Sequence, residues 1–261
     1  MPIYAKLYLT SKNYFNLNYM SGHSKWHNIQ GKKGKADKAR SNLFTKLAKT
    51  ITVAAQLGGG DVEMNFSLRL AIDKAKEGNM PKDNIERAIK RGTGELEGGV
   101  LQEVVYEGYG PGGVALLIKT VTDNINRTIS ELKGVFNKYN ASLGAKGSVQ
   151  WQFENVTVVR ITAEEKAKIK NWEESQLELM DSGVDDIRES EQGVELVGAM
   201  DKFQSIMEAV EKLGVEVETS GLEWLAKETM ELSADKSESL EKLVEALHDL
   251  DDIEDVYTNE A

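Results

Sequence analysis

Residues 104–139 read VVYEGYGPGGVALLIKTVTDNINRTISELKGVFNKY. Two β-branched runs, 104–106 and 114–121, flank the glycine-rich segment 108–113, and this arrangement predicts a hairpin because glycine permits a tight turn between strands. An apolar stripe at helical spacing follows, made of Ile125, Ile129, Leu132, Phe136 and Tyr139. The stretch therefore predicts the order β-β-α.

The residues that follow predict two α+β domains. A strand over 148–153 would extend the first unit to β-β-α-β. A strand over 156–161, an acidic helix, two short strands, a helix over 201–213 and a strand at Val215 would then give β-α-β-β-α-β, the order of a ferredoxin-like domain. The tail, 229–257, predicts one more β-α-β that buries too little to stand alone. We expect the tail to complete the first sheet, so that the ferredoxin-like domain is inserted in the other.

A helical domain is predicted before these sheets. Apolar residues recur every three or four positions over 35–57, and two shorter helical patterns end at Gly78 and Gly92. The predicted fold class is α+β multi-domain, with an amino-terminal helical domain. The predicted domain bounds are 1–19 for an extension that is disordered or reflects a mis-assigned start, 20–96 for the helical domain, 97–155 plus 224–261 for one α+β domain, and 156–223 for the inserted one.

Charge divides the chain into two unlike parts. The whole chain is acidic, with 43 Asp and Glu against 32 Lys and Arg. Residues 1–160 nevertheless hold 23 basic against 14 acidic residues, whereas residues 161–261 hold 9 against 29. There is no cysteine and no long apolar run, so composition predicts a cytoplasmic protein without a disulfide framework or a membrane span. The basic part is suited to a polyanionic partner.

The densest basic segment is 21–50, where eight cations stand against Asp37 alone. Glycines in this segment allow the backbone to approach a phosphate chain, and a tryptophan can stack. A solvated basic helix face is the alternative. The candidate nucleic-acid contacts here are Lys25, Trp26, Lys32, Lys33, Lys35, Lys38, Arg40, Lys46 and Lys49.

A second basic cluster belongs to the third predicted helix and consists of Lys82, Arg87, Lys90 and Arg91. It could extend the same surface. Pairing of Asp83 with Arg87 and of Glu86 with Lys90 is an equally good account, because residues four apart are neighbours on a helix. Both interpretations stay open at the level of sequence.

No catalytic or metal-binding constellation is apparent. The G-x-G-x-x-G spelling at 108–113 precedes a strand, whereas a dinucleotide site needs a helix there. His23 and His27 lack further ligands, and His248 lies in a run of aspartates that is either a solvated face or a surface for a basic partner. We predict no enzyme, no cofactor and no metal. A small-molecule site would need Glu107, Arg127 and Tyr257 to form one buried cluster.

Several of these stretches resemble the YebC/PmpR family. The similar segments are GHSKW at 22–26, FTKLAKTITVAA at 44–55, NMPKDNIERAIKRG at 79–92, YEGYGPGGVALL at 106–117, TDNINRT at 122–128, GSVQWQF at 147–153 and VYTN at 256–259. The resemblance implies a three-domain fold and a non-enzymatic regulator of gene expression. Two descriptions attach to the family, a DNA-binding transcriptional regulator and a translational activator that acts at the ribosome, and the motifs do not separate them. We predict the first, with a ribosome-associated factor that binds RNA through the same basic domain as the alternative. The resemblance implies no membrane or small-molecule partner, and it leaves the oligomeric state open.

Overall fold

The computed structural model describes residues 36–261, with side chains from residue 41 onward. The first three helices of this described part are α1 (Ala36–Gly58), α2 (Phe66–Glu77) and α3 (Lys82–Gly92). Their apolar faces meet in one core that includes Leu47, Ile51, Leu68, Ile72 and Ile85. The periodicity of the sequence predicted these helices to within two residues at the ends of α1 and α3.

Two close approaches hold the three helices together. The Asn65 side chain accepts the N–H of Leu68 at 3.0 Å, and its amide donates to the carbonyl oxygens of Ala54 and Gly59, both at 2.8 Å. It therefore caps α2 and ties it to the end of α1. Gly92 lies so near α1 that an added Cβ would stand 2.4 Å from the Thr52 carbonyl oxygen.

Eight strands and five more helices form the rest of the described chain. The strands are β1 (Gln102–Tyr109), β2 (Ala115–Thr122), β3 (Ser142–Leu143), β4 (Phe153–Thr162), β5 (Val184–Ser190), β6 (Gly193–Gly198), β7 (Thr219–Ala226) and β8 (Ile253–Thr258). The helices are α4 (Ile125–Lys138), α5 (Ala163–Lys166), α6 (Trp172–Asp181), α7 (Phe203–Lys212) and α8 (Ala234–His248). Within residues 36–261 no helix is long and apolar enough to cross a membrane.

The strands form two antiparallel sheets. The first has the order β3-β1-β2-β8, and α4 and α8 pack on it through a shared apolar core. The second has the order β5-β6-β4-β7, which is the strand order of a ferredoxin-like sheet, and carries α6 and α7. Because β8 pairs with β2 while β4 to β7 pair among themselves, one sheet is inserted in the other. The predicted fold class is confirmed.

Three predicted strands are wrong. Residues 148–153 do not extend the first sheet: Gln150–Gln152 is a 3₁₀ turn, and β4 starts at Phe153 in the second sheet. The reason is that the Glu107 carboxylate accepts the N–H groups of Val149 and Gln150, which are then unavailable to a strand partner. A strand at Val215 is replaced by β7, and the segment 229–232 supplies a single bridge, from Met230 to Glu260.

Strands β4 and β7 also cross the predicted domain bounds. The bounds at 155/156 and 223/224 fall inside these strands, which pair with each other from Phe153 to Arg160. The second sheet thus begins earlier and ends later in the chain than the predicted inserted domain. Each bound falls within a continuous strand, and the hydrophobic pattern of a strand does not show which sheet it joins.

Asp252 joins the helical domain to the first sheet. It precedes β8, is only 2% exposed, and accepts an ion pair from Lys49 at 2.6 Å and another from Arg127 at 2.8 Å. The hydroxyls of Thr122 and Thr128 donate to the same carboxylate at 3.0 and 2.8 Å. Burial alone would raise the pKa of Asp252, but these donors outweigh it and lower the pKa to about 2.

Asp252→Asn should therefore lower the free energy of unfolding by about 3 kcal/mol at pH 7, because two cations lose their buried partner. The lowered pKa stabilises the fold above about pH 4, and this contribution, about 2 kcal/mol, disappears as the pH falls toward 2. Urea unfolding at several pH values measures both effects. Asp185→Asn, at an exposed carboxylate of β5 outside this junction, is the control and should change stability by less than about 0.5 kcal/mol. A difference between the two variants that persists unchanged at pH 2 would contradict this account.

Candidate nucleic-acid interface

Part of the predicted contact set lies outside the described residues. This holds for Lys25, Trp26, Lys32, Lys33 and Lys35. Lys38 and Arg40 lie within α1, but their side chains are not described. These seven residues stay predictions from the sequence.

Lys46 and Lys49 are held by the carboxyl-terminal part of the chain. The Lys46 ammonium donates to the His248 carbonyl oxygen at 2.5 Å, and burial lowers its pKa. The Lys49 ammonium donates to Asp252 and, at 3.0 Å, to the Asp251 carbonyl oxygen. In this arrangement neither lysine is open to phosphate, so the structure does not support them as nucleic-acid contacts.

The acidic stretch before and within β8 is an internal docking surface for the helical domain. Thr50 donates to Glu254 at 3.1 Å, and Lys74 lies 3.7 Å from Asp255. The same Glu254 pairs with Lys119 of β2 at 3.1 Å. The two charged ends of the chain therefore meet, and the interpretation of this stretch as a solvated acidic face is wrong for the carboxylates at the junction. Charge complementarity between residues 46–50 and 249–255 was the signal available in the sequence.

The basic side chains of α3 remain exposed. Lys82 pairs with Glu86 at 3.6 Å. For Arg87, Lys90 and Arg91, no acidic partner lies within ion-pair distance among the residues whose side chains are described. The pairs predicted from helical spacing, Asp83 with Arg87 and Glu86 with Lys90, are absent from α3. Three unneutralised cations thus share one turn and a half of helix.

Arg87 and Arg91 open onto a groove of about 560 Å³ between α1 and α3. The α1 wall contributes Ser41 and Thr45, and α3 adds Asn84. The far wall is the segment 97–101 with Asp123, and other lining residues include Phe44, Ala48, Lys49, Thr52, Met80 and Ala88. Guanidinium, hydroxyl and amide groups are the ones that most often contact phosphate oxygens. The α3 side of the groove therefore offers groups that can bind phosphate, opposite the carboxylates of Glu97 and Asp123.

The residues of the alternative small-molecule site do not form one cluster. Glu107 holds the backbone of residues 147–150, whereas Arg127 pairs with Asp252 and Asp123. Tyr257 packs with Ala115, Leu117, Val149 and Phe153 in a separate apolar cluster. Among the described residues, no group of three or more His, Cys, Asp or Glu side chains could hold a metal ion.

Two models of known protein families match this chain. The family model for the TACO1/YebC protein N-terminal domain matches residues 24–95, and the model for the TACO1/YebC second and third domain matches residues 101–260. The chain belongs to the TACO1/YebC family. The resemblance stated from the sequence motifs is thereby confirmed.

Bacterial relatives of the family match almost the whole chain. A probable transcriptional regulatory protein of Thermotoga petrophila is 45% identical over 240 residues, covering 92% of this chain and 93% of the relative. One of Caldanaerobacter subterraneus subsp. tengcongensis is also 45% identical, covering 92% and 98%. The crystal structure of a conserved hypothetical protein from Aquifex aeolicus matches with a TM-score of 0.78 at 40% identity, covering 88% of this chain and 93% of that one.

The TACO1/YebC motif at 122–128 has a structural explanation. Thr122 and Thr128 donate to Asp252, and Asn124 caps α4 by accepting the Arg127 N–H at 3.1 Å. The motif thus builds the socket for the carboxylate that binds α1. In this family member it therefore helps to position the helical domain on the first sheet.

Lys49→Met should lower the free energy of unfolding by about 2 kcal/mol, since Asp252 loses one of its two cations while Arg127 remains. Lys90→Met, which removes an exposed and unpaired cation from the same domain, should change it by less than about 0.5 kcal/mol. Chemical denaturation of both variants at pH 7 measures the contrast. Equal stabilities would mean that Lys49 does not fasten the domains together.

Proposed function

We propose that this protein is a cytoplasmic, non-enzymatic regulator of gene expression that holds nucleic acid by its phosphate backbone through the helical domain. The main support for this proposal is a set of three exposed cations on α3. These are Arg87, Lys90 and Arg91, and they have no acidic partner among the described side chains. The relatives named probable transcriptional regulatory proteins support the regulatory role.

The contact surface follows from which lysines the fold neutralises. Lys46 and Lys49 serve the junction with the first sheet. Thr52 donates to the Ala88 carbonyl oxygen at 3.1 Å and so holds α3 against α1, while the side chains of Arg87, Lys90 and Arg91 stay exposed. The proposed surface therefore comprises Lys82, Arg87, Lys90 and Arg91 together with the residues predicted from the sequence alone, which are Lys25, Trp26, Lys32, Lys33, Lys35, Lys38 and Arg40.

Duplex DNA is the first target to consider, because the relatives are named probable transcriptional regulatory proteins. Cations without a base-reading pattern position a protein on phosphates and do not select a sequence. A second target, ribosomal RNA, is favoured by one observation outside the helical domain: Trp151 exposes 68% of its surface. Exposed aromatic rings are typical of proteins that bind unpaired bases, which folded RNA offers and duplex DNA does not.

Arg87→Glu combined with Lys90→Glu should weaken binding to nucleic acid and reduce the slope of log affinity against log salt by about 2, since two phosphate contacts are lost. The matched control, Lys170→Glu with Lys212→Glu, makes the same change in net charge at exposed lysines of the inserted domain. It should leave the slope unchanged. Fluorescence anisotropy with labelled duplex DNA and with RNA between 50 and 200 mM salt measures both. A wild-type affinity that does not depend on salt would contradict backbone binding.

Sedimentation of the tagged protein in DNase-treated lysate distinguishes the two targets. Wild type that travels with ribosomal particles, with the Arg87→Glu/Lys90→Glu variant left at the top of the gradient, is expected for a translational role. Wild type at the top, together with salt-dependent binding to duplex DNA, is expected for a transcriptional role. Absence of both would overturn the proposed function.

A further inference from the structure

A second basic segment of the chain runs from α4 to β4, beyond the end of the β1-β2 hairpin. Residues 132–153, from the middle of α4 to the start of β4, contain Lys133, Lys138 and Lys146 but no acidic residue. All three lysines are exposed, and no acidic side chain pairs with them in the described part of the chain.

The loop 144–152 is held in a fixed shape by a buried carboxylate. Glu107, 4% exposed, accepts the N–H groups of Gly147, Val149 at 2.7 Å and Gln150 at 2.9 Å. Burial opposes the charge, but these backbone donors outweigh it and lower the pKa of Glu107. Gly147 has a φ of +83°, a conformation that favours glycine. The backbone of this loop is thus held in one conformation by hydrogen bonds to Glu107.

Two aromatic side chains are held on this loop by hydrogen bonds to one carbonyl group. The Trp151 indole N–H and the Tyr109 hydroxyl both donate to the Ser148 carbonyl oxygen, each at 3.1 Å. Val149 and Phe153 point into the core, whereas Trp151 is 68% and Tyr109 36% exposed. The hydrogen bond satisfies the edge of the indole and leaves the faces of its ring available.

Trp151 differs in this respect from its described counterparts. Lys166 lies over the Trp172 ring at 5.1 Å, and the indole N–H of Trp172 donates to Glu189. Trp224 packs beside a buried apolar cluster. Within residues 41–261, no aromatic or cationic side chain stacks on Trp151. Its large apolar surface is oriented but unused by the fold.

We propose that the loop 144–152 is a stacking site for an unpaired nucleobase, with Trp151 as the platform and Lys146 as a phosphate contact. The proposal rests on the nucleic-acid binding proposed above and adds a second point of attachment. An oriented ring in the same loop as an unpaired lysine matches the requirements of single-stranded nucleic acid, whose bases stack on aromatic faces while cations follow the backbone. Paired bases in a duplex do not expose their faces and would gain nothing from Trp151.

The two surfaces are separated by the length of the hairpin. Gln56 of α1 donates to the Leu101 carbonyl oxygen at the start of β1, and Tyr109 ends that strand. Eight residues of strand span about 25 Å. A strand that reaches both surfaces must therefore be longer than a few nucleotides, and a 20-nucleotide probe is appropriate.

The test compares Trp151→Ala, Trp151→Phe and wild type in the full chain. Anisotropy with labelled 20-nucleotide RNA, single-stranded DNA of the same sequence and the matching duplex gives the affinities. Trp151→Ala should weaken binding to single strands on the order of tenfold to hundredfold, and leave the duplex unaffected. Trp151→Phe should restore binding to within about threefold, because it keeps a ring face but not the N–H. Leu177→Ala, at an apolar residue that is 65% exposed, is the control and should behave as wild type.

Salt dependence separates stacking from charge. Trp151→Ala should keep the wild-type salt slope, whereas Lys146→Ala should reduce the slope on single strands by about 0.7. Thermal unfolding of each variant shows that the fold is retained.

Failure of this inference is distinguishable from failure of the proposed function. Equal single-strand affinities of Trp151→Ala and wild type, with binding still weakened by Arg87→Glu/Lys90→Glu, would overturn the stacking site and leave the proposed function standing. Equal weakening of single strands and duplex by Trp151→Ala would also overturn the stacking site. A wild-type protein that binds none of the three probes would overturn both.

Discussion

The buried carboxylate of Asp252 is the constraint on which the arrangement of the domains depends. It receives two cations and two hydroxyls, from α1, from the end of β2 and from the start of α4. A buried charge without such partners would be strongly unfavourable, so these elements can adopt few other arrangements. The helical domain is thereby attached to the first sheet by ion pairs and hydrogen bonds. A separate ring contact, between Phe66 of α2 and Phe203 of α7, joins it to the inserted domain.

This junction also determines which cations of the described chain are paired with carboxylates and which stay exposed. Lysines that meet the acidic residues around β8 hold the structure together, whereas Arg87, Lys90 and Arg91 on α3 stay available. At physiological salt, charges are screened over about 8 Å, so an exposed cluster can act on a partner although the whole chain is acidic. Net charge is therefore a poor guide to what this protein binds, and local neutralisation is a better one.

Much of the fold was predictable because its local patterns are strong. Helical periodicity predicted α1 to α3. Two runs of β-branched residues on either side of a glycine-rich segment predicted the β1-β2 hairpin. The insertion followed from a tail too small to fold alone. The strand predicted at 148–153 was wrong because a distant side chain, Glu107, binds the backbone there. Such long-range hydrogen bonds leave no periodic trace in the sequence.

The sequence by itself determined the family, the helical and α+β composition, and the separation of charge along the chain, since each is written in local residue patterns. Only the tertiary structure decided which charges are free. Lys49 and Lys90 both lie on helices predicted from the sequence, and nothing in their local sequence distinguishes them. Lys49 nevertheless binds Asp252, 203 residues away, whereas Lys90 faces solvent. The exposure of Trp151 was decided in the same way, by its bond to Ser148 and by the loop that Glu107 holds. Whether a side chain is neutralised or available depends on neighbours that folding brings together, and these lie far apart in the chain.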